Sequence, residues 1–394
     1  MTPRERVQTA LDHREPDRVP IDLGATVVSS IAIPAYAELR QALGLPRGEI
    51  TVLETVQQIA RVDDDVLDLL GVDAIPVLPH APAIYQPEFR TDANGTISFQ
   101  DEFGATLYRP PGSHYYDWRS FPLGRPSCDD LAGMRWPDPT DPGRYAGLRA
   151  EVSALRQSSP RALVGMAPCG HDLFNQLLRV RGMEEGLMDL VAEPEFAEAF
   201  LDRLTDTICT AQSLYLDQVG DLIDVHFTAD DLAGQASPLI SPKVYRRLIK
   251  PRQARIMQTI RSRTKAKILY HSCGALGDFL DDLVEIGVEA LNPVQVSAVG
   301  MDTSRLKQRY GQRLSFWGGG CDTQRVLNQG SPAEVRAEVR RRVADLAPGG
   351  GFVFNPVHNV QSGVPAANIV AMFDQARVSG VYPSTRSNAV GAQT

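Results

Sequence analysis

The sequence lacks any apolar run long enough to cross a membrane. None of its 394 residues belongs to a stretch that approaches the about 20 apolar residues of a transmembrane helix. The first residues, MTPRERVQTALDH, are charged and helical in pattern, without the apolar centre of a secretory signal. We therefore expect a cytoplasmic protein with no membrane partner.

Dense runs of lysine and arginine are also absent. The chain has 40 Lys and Arg residues against 48 Asp and Glu residues, and its formal net charge is −8. The most basic stretch, 245–265, has apolar residues at helical spacing, which is typical of an amphipathic helix with one solvated face. Because no surface that could release counterions from DNA or RNA is indicated, no nucleic-acid partner is expected.

Cysteine is scarce, and one familiar glycine motif is missing. The five cysteines are an odd number without regular spacing, which argues against a disulfide framework and fits a reducing cytoplasm. No Gly-x-Gly-x-x-Gly motif follows a first strand, and its absence weakens the case for a dinucleotide-binding open sheet.

What the sequence does contain is a regular alternation of apolar strands and helical stretches. Eight strand candidates, most of them followed by a helix, favour an α/β fold of the (β/α)8 TIM-barrel type. A doubly wound open sheet is the alternative. The predicted strands lie at 18–24, 71–80, 161–170, 222–231, 266–274, 288–295, 313–322 and 350–358.

The domain organisation follows from this alternation. We predict a single barrel domain over residues 1–385 and a disordered tail at 386–394. An insertion at 84–145 interrupts the alternation, and we expect it near the barrel mouth. Within it, β-forming residues around an Asn-Gly pair predict a β-hairpin at 88–110. The aromatic stretch HYYDW, 114–118, is expected to cover the mouth.

A helical extension is predicted before the barrel. Its first helix has Thr2 as N-cap and Pro3 in the first turn, the residue types that helix starts prefer. Residues 31–70 are also predicted to be largely helical.

Residues with ligand or acid–base chemistry cluster at the ends of the predicted strands. Active sites of barrel enzymes lie at the carboxyl ends of the strands. Five of the seven histidines and three of the five cysteines lie there, whereas chance placement would spread them over helices and core. They are His80, His171, His226, His271, His358, Cys169, Cys273 and Cys321.

The sequence HSC at the end of one strand indicates a metal site. In an extended segment residues i and i+2 point to the same side, so His271 and Cys273 can reach one ion. A catalytic zinc ion takes three protein ligands of the imidazole or thiolate type and keeps one position open. Cys321 and His358, from two later strands, are both candidates for the third ligand, and the sequence does not decide between them.

A second group is the adjacent carboxylates Asp230 and Asp231, at the end of another strand. Burying both together is costly. We expect one of them to cap a helix and the other to face the site, where it would position substrate or act as an acid or base. His226 is a further catalytic candidate, and Gln235 is expected to help to position the substrate.

Three more strand-end residues are candidates for substrate contact. His80 and Asn355 each follow a predicted strand. Trp317 stands beside a run of three glycines, where it could wall a pocket or belong to the core.

Five segments of the sequence carry a resemblance to a known family. They are TPRERVQTALDHREPDRVPID, DDLAGQASPLISPKVYRRLIKPR, HSCGAL, GGGCDTQ and FNPVHNVQSGVPAANIVAMF. Together, and in the same order over nearly the whole chain, they resemble the uroporphyrinogen decarboxylase superfamily, and more closely its branch of corrinoid-linked methyltransferases in one-carbon metabolism.

The resemblance implies a (β/α)8 barrel and a methyl-transfer site. Members that methylate coenzyme M hold zinc with a His-x-Cys pair, which His271 and Cys273 match, and with a later Cys in a Pro-Gly-Cys segment. His358 occupies the place of that Cys here. Because of this departure, the resemblance does not imply that coenzyme M is the acceptor. Uroporphyrinogen decarboxylases bind their acidic substrate with an arginine-rich N-terminal loop, but the equivalent region, 24–39, contains no arginine.

The predicted function is therefore methyl transfer between a small methylated substrate, a corrinoid protein and a thiol or folate-type acceptor, assisted by zinc. The corrinoid would come from a partner protein, since the chain has no Asp-x-His-x-x-Gly motif for holding one. A homodimer is expected only by analogy with the family. The alternatives are a decarboxylase on the same barrel and a non-catalytic subunit that binds a corrinoid or a tetrapyrrole.

Overall fold

The predicted alternation of strands and helices folds into a curved parallel sheet. The computed structural model describes residues 1–125, 127–169 and 172–382. The strands, numbered β1 to β14 in chain order, are Ile31–Ala32, Val52–Glu54, Ile59–Ala60, Ala74–Val77, Arg90–Thr91, Ile97–Gln100, Thr106–Arg109, Asp117–Ser120, Ala162–Met166, Val225–Ala229, Lys267–His271, Ala290–Asn292, Ser315–Trp317 and Phe352–Val353. Seven of them form one parallel sheet in the order β4-β9-β10-β11-β12-β13-β14, which is the arrangement of a TIM-barrel-like α/β fold.

The first predicted strand occupies the gap between β14 and β4. Ile21 forms a parallel bridge to Phe354, and the Asp73 amide donates to the Ile21 carbonyl at 2.7 Å. This segment does not form a regular ladder. Pro20 has no N–H to donate, and the Ile21 N–H donates to the Asp73 carboxylate instead of to a strand.

The helices surround the parallel sheet. They are numbered α1 to α15 in chain order and comprise Pro3–Leu11, Ile33–Ala42, Asp64–Leu70, Cys128–Gly133, Leu148–Ser158, Leu173–Arg181, Met183–Ala192, Pro194–Val219, Pro242–Val244, Lys250–Arg261, Leu280–Glu285, Thr303–Tyr310, Val326–Gln329, Pro332–Leu346 and Ala366–Ser379. As predicted, α1 begins with Thr2 as N-cap and Pro3 in its first turn, and Glu5 completes a capping box.

Side chains of the parallel strands alternate between two packed layers. We call the layer inside the curved sheet the interior face and the layer against the helices the helix face. The interior face includes Val225, Phe227 and Ala229 of β10, together with Leu269 of β11. The helix face includes Ile268 of β11, which packs with residues of the surrounding helices. The period of two along each strand decides which layer a side chain enters.

The insertion forms its own antiparallel sheet. The order of its strands is β5-β6-β7-β8, and the predicted hairpin is present, with Gly95 in the left-handed conformation at φ 79° in the turn between β5 and β6. The fourth strand, β8, lies in a segment for which no strand was predicted. Trp118 in this strand is a β-forming residue, but the Pro and Gly residues around the strand obscure the strand pattern in the sequence.

The prediction of helix over most of 31–70 is wrong in part. Helices α2 and α3 are present, but β1, β3 and β2 between and around them form a small antiparallel sheet. Tertiary pairing therefore overrides the local pattern here, with Ile31 pairing with Ala60.

Two predictions fall on residues that the structure does not describe. These are the disordered tail, 386–394, and the strand-end residue His171. The division into a single domain over 1–385 stays a prediction. In the described part of the chain no helix combines the length and the apolar character that crossing a membrane requires.

Candidate active site

Three ligand-type side chains meet at the carboxyl end of the parallel sheet. His271 is the last residue of β11, Cys273 follows two residues later, and His358 lies in the loop after β14. One ligand atom from each residue lies within 4.8 Å of the other two. The His271 Nε2 and Cys273 Sγ atoms are 3.7 Å apart, and the two imidazole rings are 5.5 Å apart between centroids. We call these three residues the His-Cys-His group.

The backbone around Cys273 is fixed by close contacts. The Cys273 N–H donates to Asp231 Oδ1 at 2.7 Å, and the Gly274 N–H donates to the Gln295 side chain at 2.7 Å. Gly274 has a φ of 95°, and a Cβ there would lie 2.3 Å from the Ala233 carbonyl oxygen. Only glycine fits this approach, so the residue directly after Cys273 is part of how the thiol is positioned.

Burial sets the protonation state of two members of the group. Burial, with a smaller contribution from the neighbouring His271, lowers the pKa of His358 to about 3. Burial also raises the pKa of Cys273 well above its ordinary value, with the Asp231 carboxylate adding to the increase. His358 is thus a neutral imidazole, the form that binds metals, while a thiolate at Cys273 needs a cation beside it.

The two adjacent carboxylates point in opposite directions. Asp230 lies on the helix face and accepts from the backbone N–H groups of Phe174 and Asn175 in the first turn of α6, at 2.9–3.0 Å. Burial raises the pKa of Asp230 to about 7, and the nearby Asp172 carboxylate contributes to the increase. Asp231 points to the His-Cys-His group, with Oδ1 3.7 Å from His271 Nε2. The structure thus places Asp230 at the start of α6 and Asp231 beside the His-Cys-His group.

A cavity of about 360 Å³ opens above the group. Part of its wall comes from the barrel and part from residues 115–118 of the insertion. We call it the mouth cavity. Its described lining residues are Val27, Val28, Glu54, Val56, Gln57, Tyr115, Tyr116, Asp117, Trp118, Asp172, Arg179, Phe227, Ala229, Asp231, His271 and His358.

The charged lining of the mouth cavity is predominantly acidic. Among the described lining residues four are carboxylates and Arg179 is the one cation. The Arg179 guanidinium is ion-paired with Asp172 and lies 5.2 Å from the Trp118 ring centroid. In the described part of the chain neither the Asp117 nor the Glu54 carboxylate forms an ion pair with a lysine or arginine, although Arg179 acts on Glu54 from a greater distance. The cavity therefore suits neutral or cationic molecules better than polyanions.

Cys321, one of the two candidates for the third ligand, lies elsewhere. It is fully buried on the helix face, and the charged groups that act on its thiol are Glu338, Asp322 and Arg342. The glycines before it carry the chain past the end of β13, and the Cys321 carbonyl accepts from Val357 N–H at 3.1 Å. The structure does not bring Cys321 to the His-Cys-His group, because its side chain enters the opposite layer from His271.

His226, proposed as catalytic, also lies on the helix face. It is fully buried, and its Nε2 is 2.7 Å from Gln212 Oε1 on α8. It precedes Phe227, which lines the mouth cavity, by one residue, and strand alternation turns it away. The prediction of His226 rested on its strand-end position and did not take side-chain direction into account.

Two predicted substrate contacts are structural residues inside the barrel. Trp317 is fully buried on the interior face, and its Nε1 donates to Asp22 Oδ2 at 2.7 Å. Asn355 is fully buried and donates to the carbonyls of Asp22 and Ser29. Neither is among the described residues that line the mouth cavity. They hold Asp22 and the segment up to Ser29 against the ends of β13 and β14.

The other two predicted substrate contacts are remote from the cavity lining. The His80 Nε2 is 2.9 Å from a Glu151 oxygen, and its ring is partly exposed. Gln235 is exposed, and its backbone carbonyl accepts from Val299 N–H. Neither residue is among the described lining residues. The loops that follow their strands carry these side chains outward.

The sequence interpretation missed Arg179, Asp172 and Glu54. Arg179 and Asp172 lie seven residues apart at the two ends of α6, and Glu54 lies on β2. Seven residues are two helical turns, so the spacing of the first two indicates one helix face. No comparable signal marks Glu54, since its segment was predicted to be helical.

The fold and the site define a TIM-barrel-like protein with a possible metal group at the carboxyl ends of its strands. The sequence matches the family Uroporphyrinogen decarboxylase (URO-D) over residues 122–378, and the chain belongs to this family. The prediction of this superfamily from sequence segments is confirmed.

Two curated relatives carry the name uroporphyrinogen decarboxylase. The protein of Alkalilimnicola ehrlichii is 24% identical over 259 residues, which cover 63% of this chain and 66% of the relative. That of Thioalkalivibrio sulfidiphilus is 28% identical over 105 residues, covering 27% of this chain and 28% of the relative. The first match thus spans just under two thirds of the length of its relative, and the second spans about a quarter.

A solved structure extends the comparison to nearly the whole chain. A methyltransferase from Methanosarcina mazei superposes with a TM-score of 0.62 over 96% of this chain and 99% of its own, at 18% sequence identity. At this identity the likeness establishes the fold.

Proposed function

We propose that the protein is a methyltransferase that moves a methyl group between a small methylated substrate, a corrinoid protein and a thiol or folate-type acceptor. In this proposal a zinc ion bound by His271, Cys273 and His358 assists the transfer. The methyltransferase from Methanosarcina mazei supplies the matching fold, and the mouth cavity supplies a site for the small substrate.

The observation that carries the proposal is the geometry of the His-Cys-His group. A tetrahedral zinc ion with bonds of about 2.1 Å to nitrogen and about 2.3 Å to sulfur separates those ligand atoms by about 3.6 Å. The His271 Nε2 to Cys273 Sγ distance is 3.7 Å. Two imidazoles and one thiolate also leave a fourth position open, as a catalytic zinc site requires.

Residues of the chain have distinct tasks in this proposal. His271, Cys273 and His358 would hold the ion, which when bound would supply Lewis-acid chemistry toward a thiol acceptor or a leaving group. Asp231 holds the backbone of Cys273 and presents its carboxylate, 44% exposed, to the cavity, where it can orient a substrate. The insertion, through Tyr115 and Trp118, limits the access of water to that space.

Decarboxylation of a tetrapyrrole is the second candidate, because both curated relatives bear that name. Its substrate carries several carboxylates, which call for arginine or lysine partners. The described lining of the mouth cavity offers Arg179 alone, and that guanidinium is paired with Asp172. The acidic lining therefore favours methyl transfer over this alternative. A non-catalytic binding subunit would need no group of this ligand type.

The proposal is tested by methyl transfer between small molecules. Purified protein loaded with zinc is mixed with methylcobalamin and 2-mercaptoethanol, and the loss of methylcobalamin is followed in the visible spectrum. We expect turnover with the wild type and with Cys321→Ala, and none with Cys273→Ala.

Three results would contradict the proposal. The first is a Cys273→Ala variant that is as active as the wild type. The second is decarboxylation of uroporphyrinogen III by the wild type. The third is tight binding of cobalamin by wild type and Cys273→Ala alike, without turnover, which would favour the non-catalytic subunit.

A further inference from the structure

A buried carboxamide lies directly behind the His-Cys-His group. Asn292, the last residue of β12, pairs with His271 in the register between β11 and β12. Its Oδ1 is 2.6 Å from His271 Nδ1, and its Nδ2 is 2.8 Å from the Trp317 carbonyl oxygen. Asn292 is 1% exposed and His271 is 4% exposed, so the partners of these polar atoms are protein groups.

The hydrogen-bond partners fix which way the Asn292 amide points. The backbone carbonyl of Trp317 can only accept a hydrogen bond, so the NH2 group of Asn292 must face it. The opposite orientation would place two acceptor oxygens 2.8 Å apart in a buried site, at the cost of leaving both unsatisfied. The carbonyl oxygen of Asn292 must therefore face His271.

This orientation determines the tautomer of His271. Because Asn292 Oδ1 only accepts, Nδ1 of His271 must carry the proton and donate it. In a neutral imidazole the lone pair then lies on Nε2. That is the nitrogen 3.7 Å from Cys273 Sγ, so the lone pair is available to the space between the three ligand atoms.

The position of Trp317 is itself held from two sides. Its indole Nε1 donates to Asp22 Oδ2 at 2.7 Å, and its ring packs in the interior face. The next residue, Gly318, has a φ of 96°, and a Cβ there would lie 3.2 Å from Asn292 Nδ2. The glycine therefore leaves room for the carboxamide, and Asp22 and Trp317 keep its acceptor in place.

We propose that Asn292 is a positioning residue that fixes the Nδ1–H tautomer and the ring orientation of His271, so that Nε2 is the metal-binding atom. The inference rests on the proposed function, since it assigns a role toward the same metal. Hydrogen-bond partners behind ligating histidines typically contribute 10–100-fold to metal affinity. Asn292 acts through His271 and is not among the described residues that line the mouth cavity.

The first test is spectroscopic and needs no metal. Two-bond 1H–15N correlation spectra of metal-free protein labelled at histidine report which ring nitrogen carries the proton, and comparison with His271→Gln assigns the signal. We expect the Nδ1–H tautomer for His271 in the wild type. An Nε2–H tautomer there would overturn the inference even if the protein binds zinc and transfers methyl groups.

The second test measures zinc affinity by competition with a chromogenic chelator. Asn292→Leu has a similar size and removes both hydrogen bonds, and we expect its zinc affinity to fall 10–100-fold. The matched control is Asn368→Leu. Asn368 is also 1% exposed and, like Asn292, makes two buried hydrogen bonds, in its case by donating to the backbone carbonyls of Leu327 and Gly330 outside the group. The control should keep wild-type affinity in its folded fraction.

The outcomes separate this inference from the proposed function. Wild-type affinity in folded Asn292→Leu would overturn the role of Asn292, whereas equal losses in both variants would reduce that role to general stability. A wild type that binds no zinc would remove the metal from the proposed function and with it the zinc role of Asn292, and the tautomer measurement would still decide its orienting role.

Discussion

Asp230 and Asp231 are neighbours in the chain, yet they belong to two different regions of the molecule. Asp230 enters the helix face, is 1% exposed and accepts hydrogen bonds at the start of α6. Asp231 lies at the mouth cavity, and its side chain is 44% exposed beside His271. One step along an extended chain reverses the side-chain direction, and this reversal separates a structural residue from a site residue.

The same division sorts the other strand-end candidates. His271 and Cys273 lie two residues apart and share the interior direction, whereas His226 and Cys321 enter the helix face. A position at the end of a parallel strand is thus not sufficient to place a side chain in the His-Cys-His group. The comparison between the two faces yields predictions that differ sharply for chemically identical residues.

The largest expected contrast is between the two cysteines. Cys273→Ala removes one of three ligand atoms, so we expect purified protein to lose its zinc while the fold survives. Cys321→Ala should keep near one zinc per chain, because its side chain lies outside the group. Elemental analysis with circular dichroism checks both. Zinc retained by the first variant and lost by the second would reverse the assignment.

The next contrast is between the two carboxylates. Asp230→Ala leaves the first N–H groups of α6 and the Gln253 side chain without their buried acceptor, and we expect the free energy of unfolding to fall by about 3 kcal/mol. Asp231→Ala should change stability by less than about 1 kcal/mol, since the carboxylate is partly solvated, while it lowers methyl transfer. Urea denaturation of both variants gives the comparison, and equal losses would contradict it.

The environment of Asp230 also predicts a pH dependence. Burial raises its pKa to about 7 in the folded protein, against about 3.9 in an unfolded chain, so the folded state binds the proton more tightly. The contribution of this group to the free energy of unfolding therefore falls as pH rises from about 4 to about 7. We expect the stability difference between wild type and Asp230→Asn to favour wild type more at pH 5 than at pH 7.5. The same difference at both values would contradict the account.

A smaller effect is expected for the charge of a ligand in the mouth cavity. Choline and 3,3-dimethylbutan-1-ol have nearly the same shape and differ in one positive charge. Because the described lining has four carboxylates, one arginine and several aromatic rings, we expect choline to bind about tenfold more tightly. Calorimetric titration of the metal-free protein measures the affinity for both compounds. The variant Asp117→Asn should narrow the difference between the two affinities. Tighter binding of the neutral alcohol would contradict the acidic character of the cavity.

The last contrast concerns His226 on the helix face and His271 at the site. His226→Leu removes one buried hydrogen bond to Gln212, which should lower the free energy of unfolding by about 1–2 kcal/mol. Zinc content should not change, in contrast to His271→Leu, which should lose the metal. A His226→Leu variant that is folded but free of zinc would break the distinction between the two faces.

The sequence predicted the parts of this molecule that depend on short-range patterns. The parallel strands, the hairpin at Gly95, the capped helix α1 and the pairing of His271 with Cys273 all follow from periods of two or from specific turn and cap residues. The choice between Cys321 and His358 could not be predicted from such patterns, because it depends on how the chain turns after β13 and β14. Arg179 and Glu54 reach the cavity through tertiary packing, which no local pattern encodes.

The central claim is that His358, and not Cys321, completes the ligand group. X-ray absorption at the zinc edge of the purified wild-type protein tests it directly. The account predicts one sulfur ligand at about 2.3 Å and two imidazole nitrogens at about 2.0–2.1 Å. A spectrum that requires two sulfur ligands would contradict it and would assign the third position to a second cysteine.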